Sequence, residues 1–377
     1  MKAGLIFAVV CVVILPCRLL FAQSQPCTMR TLVTVVDKAS TLPVDGLNEK
    51  NFQAKFKGHR LPIRSVMPAP AQRRIVFVLD LSASMARLYS FHTNRSLLDI
   101  DRSLAMNGLP GGLSPGYPFY HLVNLVLRDA IPAIPKSASV AFQVFAGKHS
   151  AHSEFAAPDA AFEKLAELPN WNVVVQGDNL NTALWDNIDT ALRMLNPPRL
   201  GDVIAVVSDG VDNLSKLQEG SLRKEVLEAG VKVVVIMPRD PDFDLLVRPE
   251  DRAAMQDLLD LAKVTGGVAA VIGPPTSTDA LPPYRQPTHM ASGAREGYSH
   301  DEEDAMKLRE DLLQMPDPDV ALPVHPGELF GLLMHQYEIE LEVPVLKKPQ
   351  SWHLEVAASE SARPMYQRYL MPCGGEK

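Results

Sequence analysis

The stretch Val76–Leu88, VFVLDLSASMARL, runs four apolar residues into Asp80 and then sets Ser82 and Ser84 at alternate positions. One carboxylate and two hydroxyls are hard oxygen donors, the kind that suits Mg²⁺ or Mn²⁺ rather than zinc. Two further oxygens stand in comparable places. GDNLNTALWDN puts Thr182 at a loop-to-helix junction, and AVVSDGVDN puts Asp209 just past another apolar run. In an open parallel sheet, ligands bind outside the carboxyl ends of the strands. Asp80, Ser82, Ser84, Thr182 and Asp209 on three strand-end loops can therefore supply most of an octahedral shell, with water or a partner filling the rest.

Each fragment also has a plainer reading. Asp80, Ser82 and Ser84 can make an Asx turn and a helix N-cap, and Asp209 before Gly210 can be a simple turn. Asp212 and Asn213 read as loop residues rather than ligands, Asp178 as a solvated turn rather than a support behind the ligands, and Asp186 as a residue that holds the loop rather than touching metal. His149 and His152 could share a helical face as soft ligands, although isolated surface histidines are commoner. Trp171, Trp185 and Trp352 read as packing residues.

The elements that must position these groups show a change of period along the chain. Strand-like alternation marks TLVTVVDKAS, NFQAKFKGHRLPIRSV, YEIELEVPV and SWHLEVAAS, in 31–66 and 337–358. Between them, continuous apolar runs (RIVFVLD, SVAFQVFAG, DVIAVVSDG, VKVVVIMP, GVAAVIG) alternate with helical patterns. Unbroken Val/Ile runs separated by helices imply strands buried on both faces of a parallel sheet. The expected fold is α/β: a doubly wound, mostly parallel sheet over 73–336, with a small β-rich module built by both termini from 28–70 and 337–370. Residues 87–118 and 274–325 interrupt the pattern with Gly/Pro-rich and charged stretches and are expected to be surface insertions.

Of the 377 residues, 46% are hydrophobic and 21% charged, as in an ordinary globular protein. A net charge of −7 speaks against nucleic acid or an anionic membrane as the main partner. At the N-terminus, Lys2, the apolar core AGLIFAVVCVVIL and a small residue at Ala22 form a secretory signal pattern, with 1–22 removed on export and no membrane span left. The alternative is an uncleaved anchor. Cys11 and Cys17 leave with the signal, and Cys27 and Cys373 remain as a candidate disulfide in a periplasmic or secreted product. Two free thiols on frayed tails are the other possibility.

Taken together, DLSASM, NTAL and VVSDG resemble the three parts of the metal-ion-dependent adhesion site of von Willebrand factor type A domains: Asp-x-Ser-x-Ser, then a Thr, then an Asp. The segments VTVVDKASTLPVDGLNEKNFQAKFKGHRLPIRSV and HQYEIELEV are similar to flanking parts of a VWFA-related family of secreted acidobacterial-type proteins. Two departures stand out: Ala83 lies where the family usually has Gly, and the 87–118 insertion follows the motif directly. The resemblance implies a Mg²⁺ (or Mn²⁺) ion that accepts a partner protein's Asp or Glu, in adhesion rather than turnover. A scaffold whose metal is structural or absent is the alternative function. A metal-dependent hydrolase is the enzymatic one, without support from a His-Glu-x-x-His motif or a Gly-rich phosphate loop.

Overall fold

Alternating and continuous apolar patterns become two different kinds of sheet. A computed structural model of the chain describes residues 27–70, 72–82, 85, 126–165, 181–238, 249–272, 321–322, 326–357 and 361–373. The leader, Ser84, Asp178, Trp171 and the 87–118 insertion lie outside them, as does all of 274–325 but residues 321–322.

The N-terminal β segment comprises β1 (Cys27–Asp37), β2 (Phe52–Phe56), β3 (His59–Leu61) and β4 (Ile63–Pro68). The central strands follow: β5 (Arg74–Asp80), β6 (Ser139–Ala146), β7 (His149–His152), β8 (Val203–Val207), β9 (Lys232–Pro238), β10 (Ala269–Ile272) and β11 (Ala321–Leu322). The chain returns to the terminal module through β12 (Gln336–Val343), β13 (Gln350–Ser351), β14 (His353–Val356), β15 (Ala362–Met365) and β16 (Tyr369–Leu370).

The central sheet has the order β11-β10-β9-β8-β5-β6-β7. All its pairings are parallel except that of β7 with β6. Strand β5 lies between β8 and β6, and Ile75 through Asp80 are wholly buried. Alternate residues feed two cores: Ile75, Phe77 and Leu79 pack with Phe142 and Phe330 on one face, and Val76 and Val78 with Leu184, Ile188 and Leu258 on the other. Helices α1 (Pro158–Lys164), α2 (Leu184–Met194), α3 (Glu219–Ala229), α4 (Pro249–Val264) and α5 (Pro326–Met334) supply the covering residues. This is the doubly wound α/β architecture expected from the sequence.

His149 and His152 lie on an antiparallel edge strand and both are exposed, the surface histidines that the sequence favoured over a shared helical face. One expectation changes. The stretch read as insertion 274–325 contributes Ala321–Leu322 to the sheet edge beside β10. Trp185 and Trp352 are buried, as packing residues should be.

Both termini do build one module. The sheet β15-β1-β12-β4 and the sheet β14-β2-β3 each mix strands from the two ends of the chain. Val33, Val35, Phe52, Ile339, Leu341, Leu354 and Tyr366 form the core of the module. The module is fastened to the parallel sheet behind α4. Arg368 N donates to Val264 O at 2.8 Å, and a Cβ on Gly266 (φ +73°) would fall 2.2 Å from the Tyr366 carbonyl carbon, so only Gly permits this approach. Cys27 and Cys373 are disulfide-bonded across 346 positions of sequence. Replacing both with Ser should lower unfolding free energy by up to about 5 kcal/mol, less to the degree that strand pairing already holds the ends together. Denaturant midpoints of the double variant and the oxidised parent measure this; equal midpoints would show the bond to be energetically idle.

Candidate metal centre

Chain order and strand order diverge at β5. From β5 the chain moves to β6 on one side, then crosses to β8 on the other. The resulting switch point lies at the carboxyl ends of β5 and β8, the usual ligand position in such sheets. Asp80 is the last residue of β5, and Ser208 and Asp209 follow Val207 at the end of β8.

Asp80, Ser82, Ser208, Asp209 and Thr182 are all buried. Ser82 N donates to Asp80 Oδ1 at 2.8 Å, and Ser208 Oγ donates to Asp80 Oδ2 at 2.7 Å. Gly210 N donates to Ser208 Oγ at 3.0 Å, and Val211 N to Asp209 Oδ1 at 3.1 Å. Burial, and next the charge of Asp209, push the Asp80 carboxyl up to about 7; the bonds from Ser208 and Ser82 act the other way. The turn carrying Asp209 is held down tightly. Gly210 has φ +85°, and a Cβ there would meet Met237 Cε at 2.9 Å and Met255 Cα at 3.0 Å.

Thr182 lies on the loop before α2 and is gripped on both sides of its backbone by the loop that follows Asp209. Thr182 N donates to Asn213 Oδ1 at 2.8 Å, and Thr182 O accepts from Asn213 N and Leu214 N, each at 3.0 Å. Asp186 does hold the loop: its carboxylate accepts from Leu217 N at 2.9 Å and from Lys216 N at 3.1 Å. Four of the five residues singled out in the sequence therefore lie at the ends of β5 and β8 and the start of α2, while Ser84 lies outside the described residues. Sequence reasoning missed Ser208, whose hydroxyl orients Asp80. Its position inside VVSDG, one residue past a buried strand, was the available signal.

The donor chemistry fits a hard cation. Two carboxylates, Asp80 and Asp209, lie with the neutral hydroxyls of Ser82 and Ser208 beside Asp80; no group of three or more His, Cys, Asp or Glu that could hold a metal ion occurs among the described residues, so a cation here would depend on hydroxyl oxygens as well as carboxylates. A Gly-x-Ser-x-Gly string, Gly112 to Gly116, also occurs in the sequence. It lies outside the described residues, and no apolar strand-like run precedes it, as the nucleophile elbow of a hydrolase would require.

No protein-family model matches the chain, and no curated protein matches it. Among solved structures, similar ones include a von Willebrand factor type A protein from Catenulispora acidiphila (11% identity, 91% of this chain and 73% of that one, TM-score 0.36). Another is the conserved hypothetical protein BatB from Bacteroides thetaiotaomicron (14% identity, 64% and 99%, TM-score 0.35). A third is the SpRpn10 VWA domain (13% identity, 55% and 89%, TM-score 0.33). The fold assignment rests on the strand order above, not on these scores.

The raised carboxyl has a consequence for the cation-free protein. Asp80 binds its proton more tightly folded than unfolded between pH 3.8 and about 7. Its favourable contribution is then complete below 3.8 and lost as pH rises through 7. In chelator, Asp80→Asn should gain on the parent in melting temperature as pH is raised from 4 to 8. A constant difference between the two across that range would show that Asp80 carries no such strain.

Proposed function

We propose that this chain is an exported protein-binding module of the von Willebrand factor type A kind, in which Asp80, Ser82, Ser84, Thr182 and Asp209 hold a Mg²⁺ or Mn²⁺ ion, some through water, that engages an Asp or Glu of a protein partner. One observation carries the reading: Asp80 and Asp209 are buried together at the switch point, each charge opposing the other. Buried like charges are costly unless a counter-charge accompanies them. The hydroxyls of Ser82 and Thr182 offer oxygen without adding charge. A bound divalent ion supplies a point of positive charge that a further carboxylate can share. The chain's own residues do the rest. Strand β5 fixes Asp80, Ser208 orients it, and Asn213 fixes the Thr182 backbone.

We read the site as a binder and not a catalyst. Both Asp80 oxygens accept hydrogen bonds, which suits a fixed ligand better than a base that must exchange protons. The disulfide fits an oxidising, extracytoplasmic setting, periplasmic or secreted. No helix among the described residues is long and apolar enough to cross a membrane. The lead segment and Tyr337-containing strand support placement in the VWFA-related secreted family.

A cation that binds only the native state should raise stability by about 2.7 kcal/mol when free ion exceeds its Kd about a hundredfold. Asp80→Ala should abolish that gain in melts with MgCl₂ or MnCl₂. A pull-down with the full chain from envelope and secreted fractions should lose its partner both in chelator and with Asp80→Ala. A partner indifferent to both would replace adhesion with a scaffold role.

A further inference from the structure

Helix α2 begins without a cap of its own. Its N-cap residue is Ala183, which has no side chain able to accept from the first turn. The free N–H groups of a helix start need acceptors, and here one comes from far along the chain. Leu184 N donates to Asp212 Oδ1 at 2.7 Å, and Ser215 Oγ donates to the same oxygen at 2.6 Å. Immediately beside this contact, Asn213 and Leu214 grip the Thr182 backbone from both sides. Asp186, in the first turn of α2, closes the set by accepting from Lys216 and Leu217.

We infer that Asp212 and Asn213 are positioning residues for the cation, locking the Thr182 loop and the Asp209 loop into one unit so that both ligands arrive in register. The inference rests on the reading of Asp80, Ser82, Thr182 and Asp209 as the cation site. Only three positions separate Asp209 from Asp212, and two separate Thr182 from Leu184. Any displacement of the capping loop is therefore passed to both ligands with little slack. Neither Asp212 nor Asn213 has to touch the ion, because their side chains are already engaged by Leu184 N and Thr182 N. Loss of either lets Thr182 shift relative to Asp209, and the ion loses one of its oxygens.

The test is Mn²⁺ titration of the full chain, followed by calorimetry or by electron paramagnetic resonance of free Mn²⁺. Asp212→Ala and Asn213→Ala should weaken binding by roughly tenfold or more, the range typical of residues that orient metal ligands. Asp212→Asn keeps an acceptor for Leu184 N and should restore most of the affinity. Asp202→Asn is the control for general destabilisation. Asp202 is buried and paired with Arg74 at the opposite end of β8, so its loss should lower the melting temperature and leave Mn²⁺ affinity unchanged. If Asp212→Ala does not fold, Asn213→Ala decides, since it removes only the acceptor for Thr182 N. Parent-like affinity in the loop variants overturns the inference and leaves the cation site standing. A parent that takes up no Mn²⁺ overturns both.

Discussion

The burial of two carboxylates at neighbouring strand ends sets the terms for the whole upper edge of the sheet. Asp80 cannot move away from Asp209, because β5 is paired on both sides and covered on both faces. The chain answers with nearby donors, the Ser82 amide and the Ser208 hydroxyl, which soften the repulsion without cancelling it. Gly210 follows from the same requirement. The turn after Asp209 has to descend onto Met237 and Met255, and a side chain would hold it off. The opposite edge holds buried cations together with the buried Asp202. Arg73 and Lys232 are buried there, and burial together with Arg73 brings the Lys232 amine down to about 7. The Lys232 ammonium donates to Gly266 O, just past the end of α4, where a positive group is favoured.

Much of this was legible in the sequence, for a physical reason in each case. A strand enclosed on both faces must be apolar at every position, so RIVFVLD, SVAFQVFAG and VKVVVIMP announce themselves without alternation. A hydrophilic residue ending such a run has few roles other than a ligand or a turn, which is why Asp80 and Asp209 stood out. The terminal strands alternate where one of their faces carries charge: Arg30 pairs with Glu338, and Arg64 with Glu342.

What escaped reading was short or non-local. Strand β7 has four residues and takes its conformation from β6, so HSAH carries no period of its own. Strand β11 has two residues and is specified by β10. The cap of α2 could not be read because its acceptor, Asp212, lies twenty-eight positions from the amide it serves. Local pattern finds caps within a few residues of a helix start and is blind to one donated by the next strand's loop.

The Cys27–Cys373 bond also decides how the molecule carries load. Both ends of the covalent ring lie in the terminal module, on the far side of the parallel sheet's connection behind α4. Tension applied through the chain before Cys27 and after Cys373 would cross a single covalent bond and bypass everything between, across a separation of 346 positions. The sheet would stay slack while the tether is taut. A pull applied instead from the Asp80 edge would run down β5 and its hydrogen-bonded neighbours before reaching the ring. Load between the two cysteines is thus borne covalently, whereas load at the Asp80 edge is borne by hydrogen bonds and packing alone.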